Sequence, residues 1–175
     1  MLNSKENSII ILIGFMGSGK TSVGEKLAKK LGCNFIDSDN EIEKSEGMSV
    51  TDIFETQGEN YFRTLESNFI QNFHQTNCIL ATGGGLPCYN DNLAILKKLG
   101  TVIYLNTSFE NVVMRLKKSE PLRPKAMFNQ KITIEDNLLK LYNARKPIYE
   151  KADIEIDGAR GLNDILKDIL ISLNN

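Results

Sequence analysis

The sequence is poor in the residues that build metal centres and disulfide frameworks. Its 175 residues include one histidine, His74, and three cysteines, Cys33, Cys78 and Cys88, with no C-x-x-C spacing. A single histidine argues against a zinc site or a serine–histidine dyad, and His74 is expected on a helix surface. An odd, unpatterned cysteine count predicts reduced, mostly buried thiols. No block of basic residues occurs, and 21 basic against 22 acidic side chains leave a net charge of -1. Nucleic acid is therefore not an expected partner. The longest apolar run, Ile9 to Ile13, is far too short to span a membrane. The opening MLNSKENS lacks the apolar core and cleavage site of a signal peptide. A cytoplasmic protein is the expectation, with residues 1–7 disordered. Hydrophobic residues at 41% and charged residues at 25% suit one soluble domain with a real core.

What is present is an alternation. Ser8 to Ile13 reads as a buried strand. Residues 19 to 31 read as a helix, with Val23, Leu27 and Leu31 on one face and Gly32 as its stop. Asn34 to Asp37 is a short second strand. Ser49 to Asp52 is a capping box that opens a short helix. Glu59 to His74 is an amphipathic helix carrying Phe62, Leu65, Phe69, Ile70 and Phe73. Cys78 to Thr82 is a third strand, running into Gly83-Gly84-Gly85. A helix over 90–99, a strand over 101–105 and a helix capped at Thr107 follow. A long helix over 133–151, a strand over 153–157 and a helix over 162–173 complete the chain. Strands alternating with helices predict a three-layer α/β/α fold on a five-stranded parallel sheet, with ligands at the carboxyl ends of the strands.

The polar motifs fall at those ends. GFMGSGKT, residues 14–21, matches G-x-x-x-x-G-K-[ST] between a strand and a helix. Glycines let successive N–H groups converge on one anion, and the helix N-terminus adds its dipole. Gly17, Ser18, Gly19, Lys20, Thr21 and Ser22 are the expected ATP contacts. Lys20 would reach the β- and γ-phosphates, and Thr21 would ligate magnesium. The plain alternative, a glycine turn with a surface lysine, does not account for the strand and helix that flank it.

Magnesium also needs an acid. The third strand ends in glycines, but the second ends Asp37-Ser38-Asp39. Two positions apart on a strand, both carboxylates would face the cleft. One could serve the metal through water and the other take a hydroxyl proton. The alternative is a polar strand end with Asp39 capping a helix.

Taken in order, GFMGSGKTSVG, FIDSDNEIE, Gly58-Glu59-x-x-Phe62-Arg63-x-x-Glu66, the three glycines 83–85, Arg123-Pro124 and Arg145-Lys-Pro-Ile-Tyr149 resemble the shikimate kinase family. The resemblance runs from about residue 9 to 157. It implies a P-loop kinase of nucleoside-monophosphate-kinase topology, in one domain over 1–175, with a substrate-binding segment over about 33–75. It implies transfer of the ATP γ-phosphoryl to the 3-hydroxyl of shikimate, on the way to chorismate and the aromatic amino acids. By motif, Asp39 would bind shikimate hydroxyls and could also act as base, and Asp37 would help place Mg2+ with Thr21. Arg63 and Arg145 would grip the carboxylate, Glu66 would bind substrate and orient Arg63, and Gly84 and Gly85 would admit the substrate to the backbone. Arg123 would stabilise the transferring phosphoryl from a mobile lid over 119–129.

The residues themselves point the same way. Arginine suits bidentate carboxylate recognition, and three glycines after a buried strand mark a close backbone approach. Pro121 and Pro124 interrupt a polar stretch that reads as a loop. Two departures stand out: Lys125-Ala126 replaces the family's leucine-rich pair, and no proline lies near Arg160, the candidate for stacking on adenine. The rivals are a kinase of another small hydroxy acid, such as gluconate, and a non-catalytic nucleotide-gated module. The latter should have lost Asp39 or the lid arginine. ATP and shikimate are the expected partners, and a monomer the expected state.

Overall fold

A computed structural model describes residues 8–118 and 133–174. The expected lid over 119–129, with Arg123, lies outside the described residues, as do residues 1–7. Five strands form one parallel sheet: β1 (Ile9–Ile13), β2 (Asn34–Asp37), β3 (Cys78–Ala81), β4 (Thr101–Asn106) and β5 (Ile154–Asp157). Their spatial order is β2-β3-β1-β4-β5. The run IIILI is central, paired with β3 on one side and β4 on the other. All five of its residues are buried, which is why it reads as continuous rather than alternating.

Alternation appears instead in which layer each residue feeds. Ile10 and Leu12 join Ile79, Ile103 and Leu105 beneath α1 (Lys20–Leu31) and α8 (Leu162–Leu173). Ile9, Ile11 and Ile13 join Leu80 and Tyr104 beneath the other layer: α4 (Glu59–Gln71), α5 (Asn92–Leu99), α6 (Phe109–Lys118) and α7 (Ile134–Tyr149). Each fully buried aliphatic side chain contributes about 1.5–3 kcal/mol, so both layers are held by the same short strands. At Gly24 any side chain on α1 would collide with the Phe35 ring of β2. The glycine there is a packing requirement.

A third cluster lies apart from the sheet. Ile42, Val50, Ile53, Phe54 and Phe62 tie together α2 (Ser38–Glu46), α3 (Val50–Thr56) and α4. These helices form a small packed unit within the stretch over about 33–75. The helix α2 enters the sequence reading only in the alternative that has Asp39 capping a helix. Its sequence, SDNEIEKSE, buries only Ser38 and Ile42 and carries no apolar stripe. Three expected boundaries also shift. Helix α4 ends at Gln71, so His74 is exposed but lies past the helix. Helix α5 begins at Asn92, because a 3-10 turn over Leu86–Cys88 and left-handed Asn90 and Asp91 occupy the chain before it. Ser108, not Thr107, accepts from the Asn111 amide at the start of α6, since Thr107 turns its hydroxyl to the Ser18 carbonyl.

Candidate active site

The loop after β1 is shaped by left-handed backbone at Gly17 and Gly19, with φ of 76° and 97°. Side chains rarely adopt that region, so the spacing of glycines is a conformational demand. Gly19 caps α1, whose first turn carries Lys20, Thr21 and Ser22 at the sheet's carboxyl edge. The Lys20 ammonium folds back on its own loop, donating to the carbonyls of Gly14 (2.9 Å) and Phe15 (3.0 Å) and to Ser18 Oγ (3.4 Å). Ser18 is buried, whereas Ser22 is exposed.

Thr21 donates its hydroxyl to Asp37 Oδ2 at 3.1 Å. This joins the two residues expected at the metal, although they come from different elements. Two oxygen donors side by side suit a hard cation that takes its other ligands from phosphate and water. Among the described residues no group of three or more His, Cys, Asp or Glu side chains forms a metal cage. The pair is a set of oxygen donors of the kind a hard divalent cation takes.

Asp39 corrects the sequence reading. Strand β2 stops at Asp37, and it is Asp37, not Asp39, that caps the following helix, its Oδ1 accepting from the amides of Asp39 (3.0 Å) and Asn40 (3.5 Å). Asp39 thus stands in the first turn of α2. The turn still delivers it to the cleft: a side chain on Gly83 would collide with Asp39 Oδ1 and lie 2.9 Å from Glu66 Oε1. The glycine run is a floor on which several groups rest. At Gly84 a Cβ would lie 3.2 Å from the Met16 amide of the phosphate loop, and at Gly85 it would collide with the Arg63 guanidinium. Ser38 Oγ accepts from the Gly83 amide at 2.8 Å, locking α2 to this floor.

Arg63 is nearly buried and doubly paired. Its Nη1 donates to Glu66 at 2.6 Å, while Nε and Nη2 donate to Glu59 Oε1 at 3.1 and 2.7 Å. Burial works against its charge, but Glu66 and Glu59 more than offset this, so its proton is held more tightly than usual. Burial likewise raises Glu59, yet Arg63, Tyr89 and Arg145 together bring that carboxyl below its ordinary value. Glu66 is fully buried one helical turn from Arg63, as the spacing implied.

Arg145 reaches the same place from α7. It is 3% exposed, and its Nη2 has no hydrogen-bond partner among the described residues. Its charge and that of Arg63 both act on Glu59 and on the Cys88 thiol, which burial pushes up. Tyr149, one turn further along α7, donates to the Gly84 carbonyl and ties this helix to the floor. Phosphate loop, Asp39, glycine run and two arginines thus converge from β1, α2, β3, α4 and α7.

Arg160 is not brought in. It pairs with Asp168 of α8 at the surface. The arginine that does touch the phosphate loop is Arg115, in the last turn of α6. It donates to the carbonyls of Gly17 (3.3 Å), Ser18 (3.0 Å) and, from its other nitrogen, Gly158 (2.8 Å). It thereby staples the loop to the turn after β5. Only its place in the last helical turn before the expected lid could have drawn attention to it. All three cysteines are free thiols, as expected, with Cys78 buried and the other two half-buried.

Comparison with known proteins gives one consistent answer. The family model described as shikimate kinase matches residues 16–174. The chain is 46% identical to shikimate kinase of Persephonella marina over 84% of this chain and 87% of that one. It is 38% identical to shikimate kinase of Aquifex aeolicus over 94% and 95%. Among solved structures, shikimate kinase from Acinetobacter baumannii in complex with shikimate superposes with a TM-score of 0.85 at 36% identity, covering 96% of this chain and 93% of that chain.

Proposed function

The chain belongs to the shikimate kinase family, and from that premise we propose how its residues carry out ATP-dependent phosphorylation of shikimate. The observation that carries the assignment of roles is the Arg145 guanidinium. A buried donor without a partner costs about 1–3 kcal/mol and calls for an acceptor. Arg145 Nη2 is such a donor, beside Arg63 and the glycine floor. A substrate carboxylate between the two arginines supplies that acceptor. Its ring then lies over Gly84 and Gly85, which pack against the phosphate loop at Met16 and against the Arg63 guanidinium.

The phosphate loop receives the triphosphate on its converging amides, and Lys20 exchanges the Gly14 and Phe15 carbonyls for phosphate oxygens. With the carboxylate anchored, the 3-hydroxyl points to Asp39, which orients it and accepts its proton as the oxygen bonds to the γ-phosphorus. The bond to the β–γ bridging oxygen breaks and ADP departs. Thr21 and Asp37 would hold Mg2+, which would supply charge neutralisation on the phosphate oxygens. Arg123, by its place in the sequence motif, adds a second cation to the transferring group. Glu66 keeps Arg63 in place. A coupled ADP-release assay across shikimate, gluconate and other small hydroxy acids tests the reading. Shikimate should turn over and gluconate should not; turnover of gluconate at a comparable rate would reopen the sugar-acid assignment.

A further inference from the structure

Helix α4 presents Glu59, Arg63 and Ser67 at intervals of four, hence along one face. A single short segment runs beside that face. Gly85 and Tyr89 flank the 3-10 turn Leu86–Cys88, which is closed by the Cys88 amide donating to the Gly85 carbonyl at 2.8 Å. Gly85 brings its backbone against the Arg63 guanidinium: a Cβ there would lie 2.6 Å from Arg63 Cζ. Tyr89 brings its ring, with Arg63 Cζ 4.4 Å from the centroid. The Tyr89 hydroxyl donates to Glu59 Oε1 at 3.1 Å, the oxygen that also accepts from Arg63. The next residue, left-handed Asn90, donates to Ser67 Oγ at 3.2 Å. The segment is thus fastened to α4 on both sides of Arg63, with the Tyr89 ring between the fastenings.

We propose that Tyr89 is a positioning residue for the substrate carboxylate: its ring and hydroxyl hold the Arg63 guanidinium against the Gly85 backbone and shield it from water. The proposal rests on the reading of Arg63 as a carboxylate ligand. Arg63 has a hydrogen left on each terminal nitrogen after Glu59 and Glu66 are served, so its fork remains usable only if its plane is fixed. An aromatic face fixes the plane without consuming a donor. Shielding from water also strengthens the pairing with a carboxylate over that with an uncharged ester. Among the described residues no other ring lies as near: Phe62 and Phe54 are at 5.5 and 5.7 Å.

The test measures kcat and KM for shikimate and for methyl shikimate in the wild type, Tyr89→Phe, Tyr89→Leu, Arg63→Ala and the Arg63→Ala/Tyr89→Leu double variant. Tyr89→Leu should raise the shikimate KM roughly five- to tenfold, leaving kcat, the ATP KM and the ester's kinetics unchanged. Tyr89→Phe, which keeps the ring, should restore most of the preference for acid over ester. The double variant should lose no more than Arg63→Ala alone. If Tyr89→Leu leaves the preference intact, or lowers acid and ester alike, Tyr89 has no positioning role. If Arg63→Ala itself leaves the preference intact, the carboxylate reading of Arg63 falls and this proposal with it. Tyr89→Met gives the same readout should leucine there prevent folding.

Discussion

At the scale of single residues, the site is a set of charges with assigned neighbours. Asp39 sits in a helical turn against Gly83, not on a strand end. In the proposed reaction it is this carboxylate that meets the substrate hydroxyl, while Asp37 faces Thr21. Asparagine at position 39 keeps the shape and cannot take a proton. General-base catalysis is worth about 10²–10⁴-fold, so Asp39→Asn should lower kcat by at least about two orders of magnitude. The ATP KM should stay within roughly twofold, about 0.4 kcal/mol. A parallel loss of ATP affinity would move Asp39 to the metal and Asp37 to the base. The residue-level legibility of the site divides on distance along the chain. Arg63 with Glu66 was readable because the pair lies one helical turn apart. Tyr89 over Arg63 and Arg115 against Ser18 were not, because those contacts cross 26 and 97 positions and no local period encodes them. Arg160 shows the converse: a plausible position in the sequence, but a side chain drawn to Asp168.

At the scale of elements, α1 and α8 were legible because burial of one face imposes a period on the sequence, and β1 because burial of both faces makes it a continuous apolar run. Helix α2 was not, because it is held at its ends. Asp37 closes its N-terminus and left-handed Gly47, whose amide donates to the Glu43 carbonyl, closes the other. An acidic, polar segment with one buried isoleucine gives no stripe to read. Asp37 thus joins an observed duty as helix cap to the one proposed for it at the metal, and the two can be separated. Asparagine caps a helix about as well as aspartate, whereas alanine costs about 1 kcal/mol. Asp37→Asn should therefore keep the melting temperature near that of wild type and demand more Mg2+ for half-maximal activity. Asp37→Ala should show the same metal defect and melt lower by roughly 2–4 °C. Thermal melting beside a Mg2+ titration of activity separates the two. Equal melting of both variants would remove the capping role, and an unchanged Mg2+ requirement would remove the metal role.

At the scale of the whole molecule, the sheet order explains why two ligands meet. Strand β1 feeds the phosphate loop and its neighbour β3 feeds the glycine floor, in parallel and in register from Ile9 with Cys78 to Leu12 with Ala81. Both loops therefore leave the sheet at the same edge, and Gly84 lies against the Met16 amide. ATP and shikimate should then stabilise one folding unit through separate residues. At a hundred times its dissociation constant a ligand adds about 2.7 kcal/mol. For a chain of 175 residues that corresponds to roughly 5–11 °C in melting temperature. Removing Arg145 takes away charge-assisted hydrogen bonds worth about 1.5–3 kcal/mol, hence at least tenfold in shikimate affinity. At the same shikimate concentration the gain then falls to about 1.4 kcal/mol, halving the shift that shikimate produces in Arg145→Ala over its own ligand-free baseline. The shift produced by the nucleotide should be untouched, since Arg145 belongs to α7 and the phosphate loop to the β1–α1 junction. Melting curves with each ligand alone read both quantities in one experiment. A nucleotide shift that shrank in step with the shikimate shift would place Arg145 in the folding of the whole unit, and an undiminished shikimate shift would leave its unpaired Nη2 without the acceptor proposed for it.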